Sequence, residues 1–149
     1  MKEKIYLDTS VISAYYDSRA SERMQTTREF WAKLNDYKVY YSEITVTELE
    51  ATRDEKLRND LLKLSNGFIK LKAGDEAKTL SEKYVNAGTI PKSYLADAIH
   101  IAVAAVNNIE ILVSWNFEHM VNRKTRILVN NINHRNGYGP LEIISPSEL

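Results

Sequence analysis

Short apolar runs alternate with longer stretches of helical period along this chain. Five runs, Lys4–Leu7, Lys38–Tyr41, Phe68–Leu71, Glu110–Val113 and Glu142–Ile144, are rich in β-branched or aromatic residues and bounded by polar or turn residues, which predicts strands. Between them, apolar residues return every three or four positions, the period of a helix face. Ser21–Asn35 carries Met24, Thr27, Trp31 and Leu34, with Ser21 as its cap, and Thr45–Leu64 carries Val46, Leu49, Leu57, Leu61 and Leu64. Asp75–Asn86 carries Ala77, Leu80, Tyr84 and Val85 and stops before Gly88. Ser93–Val106 is apolar almost all round, which predicts a buried helix. Lys124–Asn136 sets Ile127, Leu128 and Ile132 on one face and ends at Gly137, and a short helix over Val11–Tyr15 follows the first strand.

Strands that alternate with helices predict an α/β fold with a parallel sheet covered on both faces. No repeat, low-complexity segment or linker interrupts the pattern. Gly88-Thr89-Ile90-Pro91 and Gly137-Tyr138-Gly139-Pro140 read as turns, so one domain over residues 1–149 is expected.

Composition narrows the chemistry. There is no cysteine, which removes disulfides, thiolate zinc sites and cysteine nucleophiles together. Twenty basic and twenty acidic residues cancel, so no global field draws in a polyanion. Contact with one requires a local basic patch or bound divalent cations. The longest apolar run, near Ile99–Val106, is too short to span a bilayer. The start, Met1-Lys2-Glu3-Lys4, lacks a signal-peptide pattern, and a cytoplasmic protein is the expectation.

In open parallel sheets, sites form at the carboxyl ends of strands near the point where strand order reverses. Asp8 directly follows the first strand, and Ser114, Trp115 and Asn116 follow the fourth. Asp8 suits two roles, N-cap of the next helix and metal ligand. Asp97 lies in the apolar stretch Tyr94–Ala104, where an isolated carboxylate is costly unless paired, hydrogen-bonded or metal-bound. One partner for it is His100, three residues on. Glu48 follows the second strand, but spacing does not distinguish it from Glu43 or Glu50, and a solvated glutamate is the ordinary reading. Carboxylates gathered at strand ends suit a hard cation such as magnesium or manganese, which also accepts phosphate oxygens.

The ordered motifs resemble the PIN-domain ribonucleases, in particular VapC-type toxins of toxin–antitoxin pairs, over nearly the whole chain. Tyr6-Leu7-Asp8-Thr9-Ser10-Val11-Ile12 places the first family acid at Asp8. Ser42-Glu43-Ile44-Thr45-Val46-Thr47-Glu48-Leu49 places the second at Glu48, and Leu95-Ala96-Asp97-Ala98-Ile99-His100-Ile101-Ala102 places the third at Asp97. Ile111-Leu112-Val113-Ser114-Trp115-Asn116-Phe117 sets Ser114 at the family's Thr/Ser position, and Asn116 stands where many members carry a fourth aspartate.

The resemblance implies a three-layer α/β/α sandwich with strand order 3-2-1-4-5. It also implies an endoribonuclease acting on structured RNA such as tRNA or rRNA, a homodimer, and an antitoxin that blocks the site. Asp8, Glu48 and Asp97 would hold Mg2+ or Mn2+, with Asn116 as a further catalytic residue and Ser10 and Ser114 in support. Because Asn116 brings no charge, one metal is expected, or a second recruited with the RNA; Glu118 and Asp17 are the acids available to compensate.

Two rivals stand beside this reading. One is a PIN-like module that only binds RNA or protein, favoured by Asn116. The other is an aspartate-nucleophile phosphatase, which needs a second aspartate where this chain has Ser10. His100, His119 and His134 lack zinc-site spacing and read as structural or surface residues. Arg123, Lys124 and Arg126, with Arg135 beyond, form a basic group free of acids that could meet RNA phosphates. Arg53, Lys56, Arg58 and Lys63 are interleaved with acids and read as a solvated face. Tyr15, Tyr16, Tyr40 and Tyr41 fit packing better than base stacking.

Overall fold

All strands but one at an edge put alternate side chains into two separate apolar layers, so the sheet is the partition around which the helices are arranged; the exception, Ile69–Leu71, sends Leu71 to one layer and leaves Ile69 exposed. The computed structural model describes residues 1–149. The strands are β1 (Lys4–Leu7), β2 (Lys38–Ser42), β3 (Ile69–Leu71), β4 (Ile111–Val113) and β5 (Glu142–Ile144). All pair in parallel, in the order β3-β2-β1-β4-β5, with Ile5 opposite both Val39 and Ile111. The expected α/β class and strand order are both observed.

Tyr6, Tyr40, Leu112 and Ile143 point to one face, where α5 (Asp75–Asn86), α6 (Leu95–Val106) and α7 (Arg123–Arg135) cover them. Ile5, Leu7, Val39, Ile111, Val113 and Ile144 point to the other, under α1 (Thr9–Ala14), α2 (Ser21–Trp31), α3 (Glu43–Glu50) and α4 (Glu55–Ser65). Two-sided burial explains why the strands read as continuous apolar runs and not as alternating ones. It also makes Leu7, Leu112 and Val113 fully buried.

Four details differ from the sequence reading. The helix expected over Thr45–Leu64 is two helices, α3 and α4, because Asp54 takes an extended backbone and its carboxylate accepts from the Leu57 N–H as a new N-cap. The Ser21–Asn35 helix ends at Trp31 and yields to a 3-10 turn, Leu34–Asp36. The helix predicted from Ser93 starts at Leu95, and its first turn is not buried: Leu95 and Ala96 are exposed, and full burial begins at Ala98. In α7 the buried set is Thr125, Val129, Ile132 and Asn133, while Ile127 faces outward. Asn133 belongs inside because its side-chain oxygen accepts from the buried Tyr84 hydroxyl. The chain reverses after α5 and α7 at Gly88 (φ 78°) and Gly137 (φ 82°), left-handed positions that glycine occupies without a Cβ penalty.

Candidate active site

The carboxyl ends of β1 and β4 lie side by side, as the switch-point rule requires, because the Asp8 N–H donates to the Val113 carbonyl at 3.2 Å. Asp8 is therefore carried to the sheet's midline and buried. Its Oδ1 accepts from Ser10 Oγ at 2.6 Å and from the Val11 N–H at 3.3 Å, and its Oδ2 accepts from Ser114 Oγ at 2.6 Å. Asp8 thus does cap α1. Capping does not offset its burial: burial pushes the carboxyl above its usual range, against His100's charge and the bonds from Ser10, Ser114 and Val11.

Glu48 and Asp97 flank this centre, each bound to a histidine. Glu48 Oε1 receives Thr9 Oγ1 at 2.8 Å and lies 2.6 Å from His100 Nε2. Burial raises the Glu48 carboxyl, but the His100 bond and charge and the Thr9 bond together bring it below its ordinary value. Behind it, His100 Nδ1 lies 2.6 Å from the Tyr6 hydroxyl, which is 2.7 Å from Ser42 Oγ. Burial among apolar groups pushes the Tyr6 phenol far up, so it remains a neutral hydrogen-bond partner.

On the other flank, Asp97 sits in the first turn of α6, where the helix dipole favours an anion. Its Oδ2 accepts from Asn116 Nδ2 at 3.0 Å and lies 3.2 Å from His119 Nδ1. The loop after β4 is built to make this contact. Asn116 Oδ1 accepts from the His119 N–H, the Asn116 N–H donates to Ser114 Oγ, and the Trp115 N–H donates to Ser10 Oγ. Trp115 Nε1 anchors the loop to Thr27 of α2 at 2.9 Å.

Hydrogen bonds join the predicted residues Asp8, Ser10, Ser114, Asn116 and Asp97, and Glu48 completes a crescent with them through its bond to Thr9, the residue after Asp8. It is not a closed cage, for no three His, Asp or Glu side chains stand close enough together to enclose an ion. As a donor set the crescent suits a hard divalent cation: its acids are all carboxylates, Glu48 Oε2 and Asp97 Oδ1 accept no hydrogen bond, and no cationic side chain touches the buried Asp8.

Several expectations change. The pairing considered between Asp97 and His100 is absent; His100 turns inward to Tyr6 and Glu48, and Asp97 pairs across to the β4 loop. Glu48 is not simply solvated, and Glu43 is set apart from it by accepting the Ala73 N–H at 2.6 Å. Neither acid proposed to compensate for Asn116 reaches Asp97: Asp17 is paired with Arg19 at 2.9 Å, and Glu118 points outward. Both ends of the Asn116 amide are already engaged.

In the basic group, Arg123 and Lys124 are exposed, whereas Arg126 reaches back to the Ile143 carbonyl at 3.4 Å. Tyr40 and Tyr41 are buried. Thr9, Tyr6, His100 and His119 are the site-lining residues that motif reading passed over. Thr9 was adjacent to a motif acid, and His100 shares a helix turn with Asp97. Nothing in the sequence pointed to His119, whose place depends on the fold of the β4 loop.

The sequence profile of the PIN domain matches residues 5–118. No curated protein sequence matches the chain. Among solved structures, a toxin–antitoxin complex from Klebsiella pneumoniae aligns with a TM-score of 0.60 at 16% identity, over 77% of this chain and 88% of that one. A sarcin-ricin loop cleaving VapC toxin of Mycobacterium tuberculosis gives 0.56 at 16% identity, over 77% and 92%. A VapBC complex of Rickettsia felis bound to a DNA fragment from its promoter gives 0.61 at 14% identity, over 94% and 98%. These likenesses share the fold seen here, and the profile spans all four motifs and the strand ends that gather them, so the chain belongs to the PIN-domain family.

Proposed function

We propose that this protein is a Mg2+- or Mn2+-dependent endoribonuclease, the toxin of a toxin–antitoxin pair. The observation that carries the reading is Asp8: a carboxylate buried at the switch point, held by two serines, touched by no cationic side chain, with one further acid on each flank. A protein retains such a group at a cost in stability when a cation is to share it.

Asp8, Glu48 and Asp97 would hold the ion, which supplies countercharge for a phosphodiester and Lewis acidity for the attacking water. The chain's own contribution is orientation. Ser10 and Ser114 fix both oxygens of Asp8, Thr9 and His100 fix one oxygen of Glu48, and Asn116 fixes one oxygen of Asp97, which leaves Glu48 Oε2 and Asp97 Oδ1 directed to ligands. Arg123 and Lys124, exposed at the start of α7, are the cations available to RNA phosphates. The family resemblance extends the reading to a structured RNA target of the tRNA or rRNA kind and to an antitoxin that covers the crescent; in keeping with it, one solved neighbour is a sarcin-ricin loop cleaving toxin and another a toxin–antitoxin complex. The resemblance also extends the reading to a homodimer, and a cytoplasmic location is proposed from the signal-peptide pattern missing at Met1-Lys2-Glu3-Lys4; no helix is long and apolar enough to cross a membrane.

The test is incubation of the purified protein with total RNA and Mg2+ or Mn2+, beside EDTA and Asp97→Asn controls. Discrete cleavage lost in both controls is the expected result. Absence of cleavage, together with calorimetry showing no divalent-ion binding, would point to the binding-only module that Asn116 favours. Hydrolysis of phosphomonoesters with a trapped aspartyl phosphate would point to the phosphatase.

A further inference from the structure

We infer that His100 is a positioning residue for Glu48: its contact with one oxygen of that carboxylate sets the orientation of the other toward a divalent cation. The inference rests on the metal-site reading above.

The hydrogen-bond chain is Ser42–Tyr6–His100–Glu48–Thr9, with contacts of 2.7, 2.6, 2.6 and 2.8 Å. An ionised carboxylate can only accept, so His100 Nε2 carries the hydrogen facing Glu48. In the neutral imidazole Nδ1 is then an acceptor, and the Tyr6 hydroxyl is its donor. Tyr6 in turn accepts from Ser42. In the protonated imidazole Nδ1 donates to Tyr6 and Tyr6 to Ser42 instead; in either state Nε2 donates to Glu48, and Tyr6 and Ser42 are wholly buried, so water offers no competing partner.

Glu48 needs such a device more than the other acids do. It extends from the middle of α3 on two rotatable carbon atoms, with its side chain 38% exposed, whereas Asp8 is locked by its neighbours at the end of β1. His100 and Thr9 converge on the same oxygen, Oε1, and this leaves Oε2 free for a cation. Partners of this kind, one bond removed from a metal, change affinity by about 10–100-fold when lost.

Two substitutions separate positioning from mere support. In His100→Asn the amide reaches the place of Nδ1 and keeps Tyr6 but loses Glu48. In His100→Gln the amide nitrogen reaches the place of Nε2 and keeps Glu48 but loses Tyr6. Each forfeits one buried hydrogen bond, so both should melt below wild type. Mn2+ affinity, measured by calorimetry on the full chain, should fall about 10–100-fold in His100→Asn and stay near wild type in His100→Gln.

Wild-type affinity in His100→Asn would overturn the inference, as would equal losses in both variants. If instead the wild type binds no Mn2+, or Glu48→Gln binds it unchanged, the metal-site reading itself fails and the inference with it.

Discussion

Two acid–histidine pairs bracket Asp8, and they differ in nearly everything except composition. In the Glu48–His100 pair the histidine is buried, the contact is 2.6 Å, and a tyrosine and a serine continue the chain into the sheet. In the Asp97–His119 pair the contact is 3.2 Å and the histidine, also buried, comes from a loop, its ring tilted against a half-exposed Tyr94 with centroids 4.0 Å apart and facing an exposed Glu118. The first pair is part of the core, assembled when β1, β2 and α6 pack. The second closes over the mouth and depends on the β4 loop alone. The lesson is that an acid–histidine contact has no fixed value: its worth follows from what happens to its atoms when the partner is removed.

The largest effect should come from breaking the buried end. Tyr6→Phe keeps the ring and its volume but strands Ser42 Oγ and His100 Nδ1, neither of which can reach water. A loss of about 1–3 kcal/mol in unfolding free energy is expected by denaturant titration, the cost of leaving a buried group unpaired. An unchanged midpoint would mean that the chain has slack that the packing around it does not suggest.

Asn116→Asp attacks the mouth from the opposite direction. It places a carboxylate where the amide nitrogen now lies 3.0 Å from Asp97 Oδ2. Without a cation, two carboxylates at that distance cannot both ionise freely. The variant should therefore melt below wild type in EDTA and gain more stability than wild type on addition of Mn2+. Equal melting in EDTA would show that Asp97 is free to swing away, and the mouth would then be looser than drawn here.

How much of this contrast was readable in advance follows from which interactions are local. Periodicity gave the strands and most helices, because burial on both sheet faces demands runs of apolar residues that stand out from the chain. The motif order placed Asp8, Glu48, Asp97 and Ser114 correctly at strand ends or on the helices that follow them. The break between α3 and α4 was missed because one capping aspartate outweighed a continuous apolar pattern. His100 and Asp97, three residues apart, were considered partners, yet α6 turns one inward to β1 and the other outward to the β4 loop. Pairing between helices and loops distant in sequence leaves no periodic trace, and so His119 was invisible.

Between the two pairs, Asp8 provides a test by pH. Burial holds its folded-state carboxyl above the unfolded value of about 3.9, so ionisation works against the fold. The stability this group contributes is present below the unfolded value and is lost as pH rises through the raised one. Asp8→Asn, neutral throughout, should melt above wild type at pH 8 in EDTA, and the difference should shrink toward zero as pH falls to about 4. The same variant should lose RNA cleavage. A variant less stable than wild type at pH 8 would mean that the Ser10 and Ser114 bonds outweigh the burial of charge.

The smallest effect belongs to His119→Ala. It removes the 3.2 Å contact to Asp97 and the ring contact with Tyr94, but it leaves Asp97 bonded to Asn116, with its side chain 20% exposed and water at hand to replace the imidazole. His119 is itself buried, so its ring packing is lost with the contact, but no other buried polar group is stranded, and the loss should be about 1 kcal/mol. The backbone N–H that caps Asn116 Oδ1 survives the substitution, so the loop should keep its course. The quantity that decides the comparison is the ratio of this loss to that of Tyr6→Phe. A ratio well below one supports a rigid frame beside a mobile mouth. A ratio near one would mean that the β4 loop is as much a part of the core as β1, and that Asp97 is held as firmly as Glu48.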